Sequence, residues 1–195
     1  MCHQIDTVHW FTGLMHPRSA VANGGIYMWK DGRKNWDTTT AVFDYGPEND
    51  PDSGFQVIFS SRMNNGDENP GEIYYSNGGE LNLVTNKVSP AGGLKKNFAE
   101  AMNMQPNLLP EMDLADLSVK AVASANTGAD PLTSAHMRNW MECVRNRQQP
   151  NAPVEAGYAH SIASIMANAA VKTGHKATFD TKTQEVIAGG KIFKY

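Results

Sequence analysis

Between Thr38 and Tyr45 apolar and polar positions alternate: Thr39, Ala41, Phe43 and Tyr45 fall on one side of an extended backbone, Thr38, Thr40, Val42 and Asp44 on the other. Period two is strand geometry, so the segment predicts a strand with one greasier face. Phe55, Val57 and Phe59 against Gln56, Ile58 and Ser60 predict a second. Shorter runs at 19–22, 26–29, 73–76 and 81–85 raise the expectation to about six strands. They are punctuated by Asn23-Gly24-Gly25, Asp31-Gly32, Asn65-Gly66 and Asn77-Gly78-Gly79. Connections this short favour antiparallel neighbours, which predicts one large antiparallel meander. At least two strands carry apolar residues on both sides, so the second face needs covering by helices or by another subunit.

Elsewhere the period changes to that of a helix. Ile5, Val8 and Phe11 share a stripe that stops at Gly13, a residue suited to the position just past a helix end. Pro131 can open a helix capped by Asp130, with Met137, Trp140, Met141 and Val144 at i, i+3, i+4, i+7 and Pro150 forbidding continuation. A further helix starts near Pro153, carries Val154, Tyr158, Ile162, Ile165, Met166 and Ala169 on one stripe, and ends at Gly174. The Met and aromatic stripes of these two late helices read as core. Leu94, Phe98 and Met102 can share a helix face, but the prolines and the polar stretch that follow support no assignment between about 92 and 130. A strand over 176–180 and a short tail at Ile192-Phe193 can return to the sheet. The fold class expected is α+β: a large, mostly antiparallel sheet with helices packed on one face, the other face available for oligomerisation.

A chain of 195 residues with 41% hydrophobic and 19% charged residues is ordinary for a globular protein, and one domain spanning 1–195 is the expectation. A formal net charge of -3 provides no basic field for nucleic acid or for an anionic membrane surface, so neither partner is expected. Cys2 and Cys143 are the only cysteines, too few for a disulfide framework. No stretch approaches the roughly 18 apolar residues of a membrane span. A soluble chain is expected, cytoplasmic rather than periplasmic unless an upstream signal has been lost.

The chemistry gathers at two places. Cys2, His3, Asp6 and His9 are all metal-ligand types, but on a helix His3 and His9 lie about 120° apart, so no metal is expected. His3 suits general acid/base work, with Asp6 near enough to orient it. Composition alone favours a solvated histidine at a helix start. The loop from Lys30 to Thr38, with Arg33, Trp36 and Asp37, mixes cations, a carboxylate and an indole, a combination that hydrogen-bonds and stacks on a polyhydroxylated ligand. A charged hairpin tip explains it equally well. Arg145 and Arg147 are accounted for by the helix dipole without an anion. No Gly-x-Gly-x-x-Gly follows a strand and no P-loop occurs.

Taken in order, these residues resemble one family. His3-Gln4-Ile5-Asp6-x-x-x-Trp10-x-x-Gly13 is followed by Ala22-x-Gly24-Gly25 and Phe43-Asp44-Tyr45-Gly46. Then come His136-Met137-Arg138-Asn139-Trp140-x-x-Cys143-Val144-Arg145 and Pro150-Asn151-Ala152-Pro153-Val154-Glu155-x-Gly157. Over nearly its whole length the chain resembles the C-terminal portion of the Gfo/Idh/MocA oxidoreductases. The resemblance implies a substrate-binding and oligomerisation domain, partnered in the parent by a Rossmann domain that binds NAD or NADP. It implies a catalytic or substrate-positioning role for His3 and an orienting one for Asp6. The family's Rossmann half, with its glycine fingerprint and Glu-Lys-Pro lysine, is not in this sequence, and the uncapped first helix reads as a cut edge. The expectation is therefore a sugar or polyol dehydrogenase domain that binds no cofactor itself, transfers no hydride alone and forms a homo-oligomer through its sheet. The alternative is a stand-alone, non-catalytic module that dimerises and binds carbohydrate or supports assembly.

Overall fold

The computed structural model describes residues 1–63, 65–66, 71–115 and 131–194. The elements in chain order are α1 (Cys2–Thr12), β1 (Ser19–Gly25), β2 (Thr38–Tyr45), β3 (Phe55–Arg62), β4 (Ile73–Ser76), β5 (Gly79–Asn82), β6 (Lys87–Ser89) and α2 (Lys96–Ala101). There follow β7 (Met112–Asp113), α3 (Pro131–Asn146), α4 (Val154–Thr173), β8 (Ala177–Asp180), β9 (Glu185–Ala188) and β10 (Lys191–Ile192). The mixed α+β class stands. The chain divides into two compact units, one of residues 1–66 with 143–195 and one of residues 67–142.

The first unit holds a six-stranded sheet in the order β10-β9-β8-β1-β2-β3, antiparallel throughout. Its inner face is the one that the alternation in β2 announces: Ala41, Phe43 and Tyr45 are fully buried. They are flanked in register by Ala20 of β1 and by Val57 and Phe59 of β3. On this face lies α4, whose buried Ala159, Ala163, Ala167 and Ala170 allow close approach to the small residues of β1. Its end is set by Gly174, in the left-handed region at φ 70°, whose N–H returns to the Ala170 carbonyl. α1 packs on α4 through Ile5 and Val8 and ends in the same way at Gly13. The outer sheet face carries the row Val21, Val42 and Ile58, paired directly across β1, β2 and β3. Val21 is 47% and Ile58 69% exposed.

The second unit holds the antiparallel sheet β4-β5-β6-β7 and α2. Three expectations need correction. The meander is not continuous: the runs near 73–76 and 81–85 form the second sheet, with β5 shifted to Gly79–Asn82, and β8, β9 and β10 complete the first. Residues 26–29 form no strand, because the Asp37 carboxylate takes their amide hydrogens and bends the backbone away from a ladder. The stripe Met137, Trp140, Met141 and Val144 on α3 lies 44–51% exposed, Cys143 being the buried residue there. Periodicity marks a face that can be buried without naming what buries it. α2 behaves alike, with Ala99 buried and Phe98 and Met102 exposed. The Asp130 cap lies outside the described residues.

Candidate functional site

α1 places the two residues singled out for acid/base chemistry one helical turn apart, but the structure does not join them. His3 is exposed, and its backbone carbonyl accepts a hydrogen bond from the Thr7 hydroxyl at 3.0 Å. No hydrogen bond or ion pair of its imidazole is found among the described residues. The Asp6 carboxylate faces α4 instead, with Oδ1 3.8 Å from Nδ1 of His160. The carboxylate side chain is 53% exposed and the imidazole 26%. Although the ring reaches solvent, its Nδ1 atom is buried and has no hydrogen-bond partner among the described residues.

Behind this pair lies a second imidazole. His9, 7% exposed, shares a hydrogen bond of 2.9 Å between its Nε2 and the Tyr45 hydroxyl, and the two rings meet edge to face at 5.6 Å. Tyr45 is itself stacked on Phe55 at 5.4 Å. Burial, which penalises the charged imidazole, holds His9 down at about 4, against a partial opposing pull from Asp6 and with further repulsion from His160 and His16. Burial likewise pushes the Tyr45 hydroxyl above its ordinary range, so both groups are neutral at neutral pH. His16 sits at the rim, its Nε2 3.9 Å from Glu48 and its ring edge to face with Phe179 at 5.1 Å. Asp6, His9, His16 and His160 thus form a titratable cluster at the junction of α1, α4 and β2. No group of three ligand-type side chains at metal-binding spacing occurs among the described residues.

The loop between β1 and β2 is built around Asp37. This carboxylate, 1% exposed, accepts the amide hydrogens of Tyr27 at 3.1 Å, Met28 at 2.9 Å and Trp29 at 3.0 Å, and the Thr38 hydroxyl at 3.1 Å. Those bonds favour the ionised carboxylate and lower its pKa to about 2. Asp37 is therefore a clamp on the loop, its oxygens engaged by the protein's own backbone. Trp36 lies against β1, where a Cβ added to Gly24 would stand 3.0 Å from its ring and 2.1 Å from the Thr38 carbonyl oxygen. Lys30 donates to the Ile26 carbonyl. Arg33 grips Asp31 through two bonds of 2.8 and 2.6 Å, which hold the Asp31 carboxyl well below the usual range, and covers the Trp29 ring at 5.3 Å. Of the four loop residues, Lys30 and Arg33 stay on the surface with internal partners, Trp36 is half-buried and Asp37 is buried. No hydrogen bond or ion pair connects them to His3 or Asp6.

A shallow depression along α3, lined by Ser134, Ala135, Arg138, Asn139 and Glu142, includes two residues of the resemblance motif, Arg138 and Asn139, but none of the candidate catalytic or loop residues. Sequence reasoning missed His160 and the buried His9–Tyr45 bond. The signal for His160 was its place in α4, where it is the only histidine among Ala, Ser and Ile neighbours. The strand pairs of the described residues are antiparallel. No protein-family model, no curated protein and no solved structure matches the chain.

Proposed function

We propose that these residues form the substrate-side domain of an NAD(P)-dependent oxidoreductase acting on a sugar or polyol. In this reading a separate domain holds the nucleotide. The observation that carries the reading is the position of Asp6. The helix bearing the motif that resembles Gfo/Idh/MocA enzymes presents a half-exposed carboxylate beside an imidazole of α4, the helix that packs on one face of the antiparallel sheet. A carboxylate and an imidazole reachable from solvent suit recognition of a hydroxyl-bearing ligand and exchange of its proton. The apolar row Val21, Val42 and Ile58 on the outer sheet face supports a homo-oligomer contact, since a protein surface seldom leaves registered aliphatic residues uncovered.

The test is a titration of the isotope-labelled chain with myo-inositol and glucose, followed by NMR. Saturable shifts centred on Asp6, His3 and His160 that the Asp6→Ala variant abolishes are expected. Shifts that ignore Asp6, or none at millimolar ligand concentrations, would count against the reading.

A further inference from the structure

Outside the resemblance motif, α4 carries a buried imidazole nitrogen with no hydrogen-bond partner among the described residues, Nδ1 of His160. The outer sheet face and the exposed stripe on α3 are apolar, and nothing beside them specifies a small-molecule ligand. The loop cations Lys30 and Arg33 already have partners within their own loop. The junction of α1 and α4 differs: it contains a buried ring nitrogen without a hydrogen-bond partner among the described residues, 3.8 Å from a carboxylate that solvent can reach.

We propose that Asp6 and His160 form a carboxylate–imidazole dyad, in which Asp6 accepts the proton of Nδ1–H and leaves Nε2 of His160 as the acceptor for a hydroxyl of the ligand. Two observations carry it. Nδ1 of His160 is fully buried, so leaving it without a partner is destabilising, and the carboxylate at 3.8 Å is a group beside it that can accept its hydrogen. A small side-chain rotation closes that distance to a hydrogen bond, as such pairs tighten when a ligand binds. The ring as a whole is 26% exposed while Nδ1 is not, so what solvent and ligand can reach is the remainder of the imidazole.

The surrounding groups favour this arrangement. His9 on α1 is neutral at neutral pH and bonded to Tyr45 of β2, so it does not compete as a cation for Asp6. His16, which repels a charge on His9 from the connection after α1, has Glu48 as its own carboxylate. An aspartate that fixes the tautomer of a histidine and supports its positive form is a recurrent device for making the far nitrogen basic. His160 thereby takes the place in the site that the sequence assigned to His3. The inference deepens the function proposed above and rests on it only for the identity of the ligand.

The test reads the tautomer directly. Two-bond hydrogen–nitrogen correlation spectra of the full chain at mildly alkaline pH are recorded, with the His160 signals assigned from the His160→Gln variant. The expected result is a neutral His160 held as Nδ1–H, reverting to the usual Nε2–H form in Asp6→Ala. A packing role for Asp6 alone would not move the tautomer. His160 found as Nε2–H in the wild type, or as Nδ1–H regardless of Asp6, would overturn the dyad. If Asp6→Ala failed to fold, Asp6→Ser, whose hydroxyl is too short to reach Nδ1 of His160, would take its place with the same expected reversion. A dyad confirmed in a chain that binds no sugar or polyol would leave this inference standing and remove the oxidoreductase reading.

Discussion

Nε2 of His9 and the hydroxyl of Tyr45 lie 2.9 Å apart, and this bond ties the helix that carries Asp6 to the second strand of the main sheet. α1 has few other anchors: Ile5 and Val8 are its remaining buried residues. The orientation of the candidate site therefore depends on a buried imidazole staying neutral.

The consequence is a pH dependence with a definite sign. His9 is held at about 4 in the folded chain against 6.5 when unfolded, so between these values the unfolded state binds the extra proton. Stability from this group is complete above pH 6.5 and declines as pH falls toward 4, by roughly 3 kcal/mol for a shift of this size. Chemical denaturation of wild type and His9→Phe at both ends of the window checks it. The wild-type midpoint should fall steeply on acidification and that of the variant much less; parallel curves would mean that His9 is already hydrated in the folded state.

Asp37 gives the opposite sign. Its carboxyl is drawn down to about 2 by three amides and a hydroxyl, so its contribution is present above the unfolded value of 3.8 and fades as pH drops through the folded one. Asp37→Ala should free the backbone of 27–29, seen as faster amide exchange at Tyr27, Met28 and Trp29 with little change in α4. Unchanged exchange there would show that the loop is held by Trp36 packing instead.

How far these features could be read in advance depends on how local they are. β2 was legible because its core face is written in four residues of one strand, and the ends of α1 and α4 because Gly13 and Gly174 sit where the left-handed turn requires them. Residues 26–29 mislead because Ile26, Tyr27 and Trp29 favour strands, while the group that bends them, Asp37, is a carboxylate beyond the run whose burial no local pattern shows. The split into two sheets was hidden for the same reason, since β8 finds β1 only after almost the whole chain has been laid down. At the site, α1 alone suggested His3 as the partner of Asp6. The contact with His160 requires knowing that α4 packs across α1.

The outer sheet face makes a prediction about assembly. If Val21, Val42 and Ile58 meet a second copy, the wild-type chain should self-associate in sedimentation at rising concentration, and Ile58→Lys should weaken that association at least tenfold by burying an unpaired charge. Ile58 is 69% exposed, so the same change should leave the fold intact. A wild type that stays monomeric throughout would remove the oligomer from the account.

The central claim is that these residues supply the substrate side of an oxidoreductase and not its nucleotide side. Calorimetric titration of the chain with NADH and NADPH, run beside myo-inositol and glucose, addresses it most directly. Saturable heat is expected from at least one sugar or polyol and none from either dinucleotide. Saturable binding of NADH or NADPH, with no response to the polyols, would contradict it.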